Sequence, residues 1–198
     1  MSSSFFIQRG WILGVASALI AGATTARTAS AQNIFDQKGV TEIRKQFLAD
    51  LDSVHVKIVA LAETIPEGKY GWSSTPETRT VANALMHVAT EWYFYVPMVM
   101  GGKPPADWGA PREAIARLEK IATKAEVLDH LHKGWAYAKQ QVETADLTAL
   151  LGTRQWFGRA TTFPELVLVM SGDLHEHLGQ LVTYTRSVGE VPPWSKKN

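Results

Sequence analysis

The sequence predicts an all-α protein: an up-down-down-up type four-helix bundle with a short extra helix, following a cleaved N-terminal signal peptide. Three observations predict it. Apolar residues recur every three or four positions over long stretches, the spacing of one face of a helix. Each stretch is bounded by capping residues on one side and by Gly or Pro on the other. Ahead of them lies a segment with the composition of an export signal.

That segment carries Arg9 as its only charge before an apolar run from Trp11 to Ala23, and Ala29-Ser30-Ala31 supplies small residues for cleavage before Gln32. The run is short for crossing a bilayer, which needs about 20 residues. The reading is a signal peptide over 1–31 and a single domain over 32–198, secreted or periplasmic, with no stable membrane span after processing. Removing 31 of the 198 residues leaves 167, a size that suits one domain. The removed part contains Arg9, Arg27 and no acid, so the net charge moves from +1 to −1. Such a balance gives no footprint for nucleic acid. The chain has no cysteine, which excludes disulfides, thiolate ligands and a cysteine nucleophile.

Helix one is expected from Thr41 to Glu63, with the face Val40, Ile43, Phe47, Leu51, Val54, Ile58, Leu61 and Ile65, ended by Pro66 and Gly68. The stretch Pro66–Pro76 is too rich in Gly, Pro and Ser to be helical. Helix two is expected from Val81 to Met100, with Thr80 as N-cap. His87 is its one ionisable side chain before Thr90, and Glu91 follows at i+4. A lone histidine on an apolar helix is either a hydrogen-bonded core residue or a ligand. Arg112–Lys120 is the short extra helix. Helix three begins at the capping box Thr123–Glu126 and runs to about Glu143; its His130 and His132 fall on different faces and read as rim residues. Asp146–Thr161 is a loop with a weak hairpin signal around Gly152. A second capping box, Thr162–Glu165, opens helix four, which Gly189 closes.

Helix four carries the strongest chemical signal. Its buried stripe is Leu166, Met170, Asp173, His177, Leu181, Tyr184 and Val188, so two polar side chains stand where core residues belong. Asp173 and His177 lie one turn apart and about 40° apart around the axis, whereas His175 lies about 200° from Asp173 and points away. A carboxylate and an imidazole converging inside a bundle make half of a metal site. The same pair could instead hydrogen-bond each other or a neighbouring helix.

Leu85-Met-His-Val-Ala89 after a loop rich in Trp, Ser and Pro, together with the run Asp173 to Arg186 followed by Gly189 and Pro192-Pro193, resembles the DinB-like family of four-helix bundles. The resemblance covers about 40 to 195. It implies a divalent metal held by one histidine of the second helix, here His87, and by a pair on the last helix. Matching on Leu178-Gly179-Gln180 puts the final ligand at His177 and the preceding one at Asp173, where the family commonly has histidine. The expected set is therefore His87, Asp173 and His177, for Zn, Ni or Fe. Characterised relatives include thiol-dependent transferases and isomerases, although export takes a protein away from cytosolic thiols.

These readings point to a metal-dependent hydrolase or transferase acting on a small molecule, with Glu91 as general base and Glu176 facing outward. A non-catalytic metal-containing bundle that binds a ligand or partner is the alternative, and a homodimer is compatible with either. The aromatics Trp72, Trp92, Tyr93, Tyr95 and Trp156 could line a pocket or fill the core.

Overall fold

The first apolar stripe folds as α1, Gln37–Thr64, in a computed structural model that describes residues 36–196. The expected signal peptide lies outside the described residues. Helix α1 starts four residues ahead of the expected Thr41 because Asp36 caps it, its side chain accepting from the Gly39 amide at 2.7 Å. It ends at Ile65, which Pro66 holds in an extended conformation. The Lys124 ammonium donates to the carbonyls of Glu63 and Ile65 at 2.6 and 2.8 Å, placing a cation at the negative end of the helix. In the following loop the Tyr70 hydroxyl donates to the Ala62 carbonyl at 2.8 Å. The backbone carbonyls of Trp72 and Tyr70 accept from Val81 and Ala82, two amides the next helix cannot satisfy itself.

That helix, α2, spans Val81–Tyr93 with Thr80 as N-cap. Every residue in it except Asn83 and His87 is buried. The expectation of one helix through Met100 is corrected: the chain breaks at Phe94 and resumes as α3, Tyr95–Val99. Pro97 is the cause. It has no N–H to offer the Tyr93 carbonyl four residues back, and its ring crowds that oxygen. Helix α4, Pro111–Leu118, is the short extra helix, with proline in its first turn. Helix α5 spans Lys124–Thr144, and its Thr123 cap accepts from the Glu126 amide.

A hairpin forms, but not around Gly152. Strands β1, Arg154–Trp156, and β2, Arg159–Thr161, pair antiparallel, with Trp156 opposite Arg159. The two turn residues, Phe157 and Gly158, have φ of 47° and 79°. Two positive φ values mark the primed turn that matches strand twist, a position where Asn and Gly are usual and Phe is strained. Helix α6, Phe163–Ser187, opens with the expected capping box, Thr162 and Glu165. Gly189 follows it at φ 91°.

The described residues are thus mostly helical, with one two-stranded hairpin. Helices α1 and α2 each pack against both α5 and α6, and a single apolar core lies between them. No described helix is long and apolar enough to cross a membrane.

A close backbone approach fixes α2 against α5. A Cβ on Gly134 of α5 would lie 3.0 Å from the Ala89 carbonyl oxygen and 3.3 Å from the Tyr93 ring. A backbone oxygen in mid-helix cannot step aside, so overpacking outweighs the gain in helix propensity. Gly134→Ala is expected to lower stability by about 1–2 kcal/mol. Urea unfolding measures it; an unchanged midpoint would mean that the two helices are free to separate.

Candidate metal centre

Helix α2 carries a polar stripe at Asn83, His87 and Glu91, successive steps of four on one side of a largely apolar rod. Helix α6 faces it with Asp173 and His177. The two histidines meet across the helices, their ring centroids 5.0 Å apart and their planes at 76°. Both present Nε2 to the same atom: Glu91 Oε1 is 3.3 Å from His87 and 3.2 Å from His177. One ligand atom from each of His87, Glu91 and His177 lies within 4.8 Å of the other two, a spacing that could hold a metal ion.

Each imidazole is held from behind. His87 Nδ1 lies 2.6 Å from Glu119 Oε1, the residue that ends α4. A proton on Nδ1 donates to that carboxylate, and Nε2 on the other side of the ring donates to Glu91 when the imidazole is protonated and offers a lone pair for a metal ion when it is not. Asn83 Nδ2 donates to the Glu119 carbonyl at 2.9 Å, fastening the same residue to α2. His177 Nδ1 lies 3.4 Å from Gln180 Oε1. Gln180 Nε2 donates to the Tyr184 hydroxyl at 3.1 Å, which donates to the Arg79 carbonyl at 3.0 Å. Orienting partners of this kind fix the ring and its tautomer in histidine metal sites.

Glu91 is the buried centre of the group, 2% exposed. Burial alone would raise its pKa, but hydrogen bonds to His177 and His87 outweigh it and hold the carboxyl down at about 2. Its second oxygen, Oε2, is buried without a hydrogen-bond partner. Burial also opposes a charge on His87, yet its carboxylate partners Glu91 and Glu119 raise its pKa above the ordinary value. For His177 the hydrogen bond to Glu91 is the largest influence and raises its pKa likewise.

Asp173 sits at the edge of this group. Its Oδ1 is 3.9 Å from His177 Nε2, and its side chain is 43% exposed. Burial first, and the nearby Glu91 carboxylate second, push its carboxyl up to about 6. Glu176 is exposed, as expected. His175 points away and pairs with Asp50 of α1 at 2.8 Å. His130 is half-buried, 3.4 Å from the Tyr93 hydroxyl, and His132 is exposed. Of the aromatics, Trp92 and Tyr93 are core, Trp72 meets Tyr184 edge-on, and Tyr95 and Trp156 line a surface groove. Sequence reasoning missed Glu119 and Gln180. Glu119 gives no local signal, since it reaches His87 from 32 residues away. Gln180 is three residues beyond His177, a spacing that puts the two on one helix face.

Helices packed around a two-histidine, one-carboxylate cluster define a class, the mostly helical proteins with a group that could hold a metal ion. The model of the DinB superfamily matches residues 50–181, and this chain belongs to that superfamily. A comparison with curated proteins found no match.

The cluster has a pH signature. Both histidines have folded-state pKa values above the ordinary 6.5. Their pairing with Glu91 therefore adds stability in full below pH 6.5, and loses it as pH rises through the raised values. In metal-free protein, Glu91→Gln should cost more stability at pH 6 than at pH 9. Urea midpoints of both proteins in chelator, at the two pH values, measure this. An equal or larger penalty at pH 9 would show that the ion pairs do not form.

Proposed function

We propose that this protein is an exported metal-dependent enzyme, a hydrolase or transferase built on a four-helix bundle, acting on a small molecule. The observation that carries the reading is the convergence of two histidine Nε2 atoms on one buried carboxylate whose other oxygen lacks a partner. The donor set fits a divalent ion such as zinc, nickel or iron: two imidazoles and a carboxylate, with a cation answering the buried charge of Glu91, whose Oε2 has no hydrogen-bond partner. In this reading His87, Glu91 and His177 hold the ion, and Asp173 stands beside it as a further ligand or as the proton-transfer group. A bound ion of this kind would supply Lewis acidity toward a carbonyl, a water or a thiol.

The chain's own residues divide the remaining work. Glu119 and Gln180 orient the two imidazoles. Glu91 is too deeply buried and too acidic to take up a proton near neutral pH, which argues against it as general base. Asp173, half-exposed and raised to about 6, can hold or release a proton at its carboxylate close to the working range. A second reading, a non-catalytic metal-containing bundle that binds a ligand, is favoured by the open groove beside Asp173.

Two experiments test the proposal. Replacing His177 with Ala removes a ligand, whereas His175→Ala removes only an exposed pair with Asp50. The first should lose metal and thermal stability together; the second should keep its metal and change stability by roughly 0.5 kcal/mol or less. Metal content and melting with and without chelator read both variants. Retention of metal by the His177 variant would sink the site. Chelator-sensitive turnover in a panel of ester, amide and thiol-transfer substrates would separate enzyme from binding protein.

Export rests on the charge and apolar pattern of residues 1–31. A fusion of residues 1–35 to a periplasmic reporter should be secreted and cut after Ala31. Uncut, membrane-bound reporter would show an anchor instead.

A further inference from the structure

Next to the metal centre the surface opens into a groove of about 480 Å³, within the range that small-molecule sites occupy. One wall is a stripe of α6, Val169, Gly172, Asp173 and Glu176, at positions i, i+3, i+4 and i+7. The other is aromatic. Tyr95 of α3 lies 6.3 Å, centroid to centroid, from both Trp156 and Phe157 of the hairpin, and those two meet edge to face at 5.3 Å.

Two features of this groove have no structural explanation. Phe157 is 76% exposed and holds a left-handed backbone at the tip of a turn where a small polar residue would be unstrained. Leu168 and Val169 of α6 are likewise 75% and 59% exposed, so three of the six exposed large hydrophobic residues among the described ones border this one groove. An apolar surface gathered this way marks a binding site.

Its charge says what kind of ligand fits. Asp173 and Glu176 stand on the α6 wall, and no Lys or Arg lines the groove; Arg159 lines an adjoining hollow that shares Trp156, Phe157, Leu166 and Val169 with it, on the far side from the two carboxylates' stripe at Gly172, Asp173 and Glu176. Aromatic faces attract a cation through their quadrupole, and carboxylates pair with it directly. We propose that the groove binds a small organic cation, an aryl- or alkylammonium compound, with its apolar body against Tyr95, Trp156 and Phe157 and its ammonium at Asp173 and Glu176. The proposal stands on the groove alone and does not require the metal.

Three probes share one body and differ in charge: 2-phenylethylammonium, 2-phenylethanol and 3-phenylpropionate. Titration calorimetry at pH 8, on protein with and without chelator, should rank the cation tightest and the carboxylate at least tenfold weaker. Glu176→Gln should shrink that preference at least threefold. Gly172→Leu fills the groove from its α6 wall, where an added Cβ meets nothing within 4 Å. It also replaces glycine inside a helix, so its melting temperature should hold or rise while binding of all three probes falls at least tenfold. The proposal is overturned if the carboxylate binds as tightly as the cation, if no probe binds, or if Gly172→Leu binds normally. It also fails if sedimentation shows a dimer that Leu168→Glu dissociates, since a second copy would then be the occupant. Metal content is read in the same samples, so failure of the groove and failure of the metal site give different results.

Discussion

A buried carboxylate shared by two histidines is the constraint on which the rest of the site depends. Glu91 sits inside the protein with one oxygen facing both imidazoles and the other facing none. An ionised carboxylate is tolerated there only if positive charge is held close to it. Breaking a buried ion pair from one side costs roughly 3–5 kcal/mol, because the remaining charge is stranded. The register of α2 against α6, the rotamers of His87 and His177, and the props behind them all meet that one requirement. A metal ion and a pair of protonated imidazoles are two ways to meet it, and protons and a metal ion would therefore compete for the same place.

The props show how a small cluster recruits distant chain. Glu119 ends the short helix α4, yet its carboxylate fixes His87 and its carbonyl accepts from Asn83 one turn earlier on α2. Gln180 and Tyr184 extend the support of His177 to the loop before α2 through the Arg79 carbonyl. The insertion between α2 and α5 and the loop ahead of α2 are thereby parts of the site, although neither supplies a residue to the central cluster.

Much of this was legible in the sequence, and the failures have identifiable physics. The stripe of α6 was readable because a helix returns to the same face every three or four residues, and it separated His177 from His175. The Asn83–His87–Glu91 stripe obeyed the same rule, but the surrounding helix is apolar all round, so periodicity could not say which way the stripe faced. Glu91 read as a candidate general base, and the structure sets it between the histidines, with Asp173 nearer the surface. The break at Phe94 was masked by the run Trp92–Tyr95, which is as compatible with a buried helix as with its end; Pro97, three residues on, was the warning. The hairpin was missed at its true position because Phe157 occupies a turn site that Asn or Gly usually marks. Contacts such as His87 with Glu119 join segments 32 residues apart, and no local pattern encodes them.

The break at Phe94 has a consequence for how such a protein can diversify. Had α2 run on unbroken, Tyr95 would have followed Glu91 by one turn on the same rigid rod, and any change at the aromatic wall would have been transmitted to the cluster. Instead α3 and the hairpin carry the aromatic wall, α2 carries His87 and Glu91, and Asp173 alone belongs to both regions. The aromatic surface can drift, lengthen or be exchanged while the His87–Glu91–His177 cluster stays in register. A scaffold divided in this way is evolvable: the groove can change shape without rebuilding the cluster beneath it.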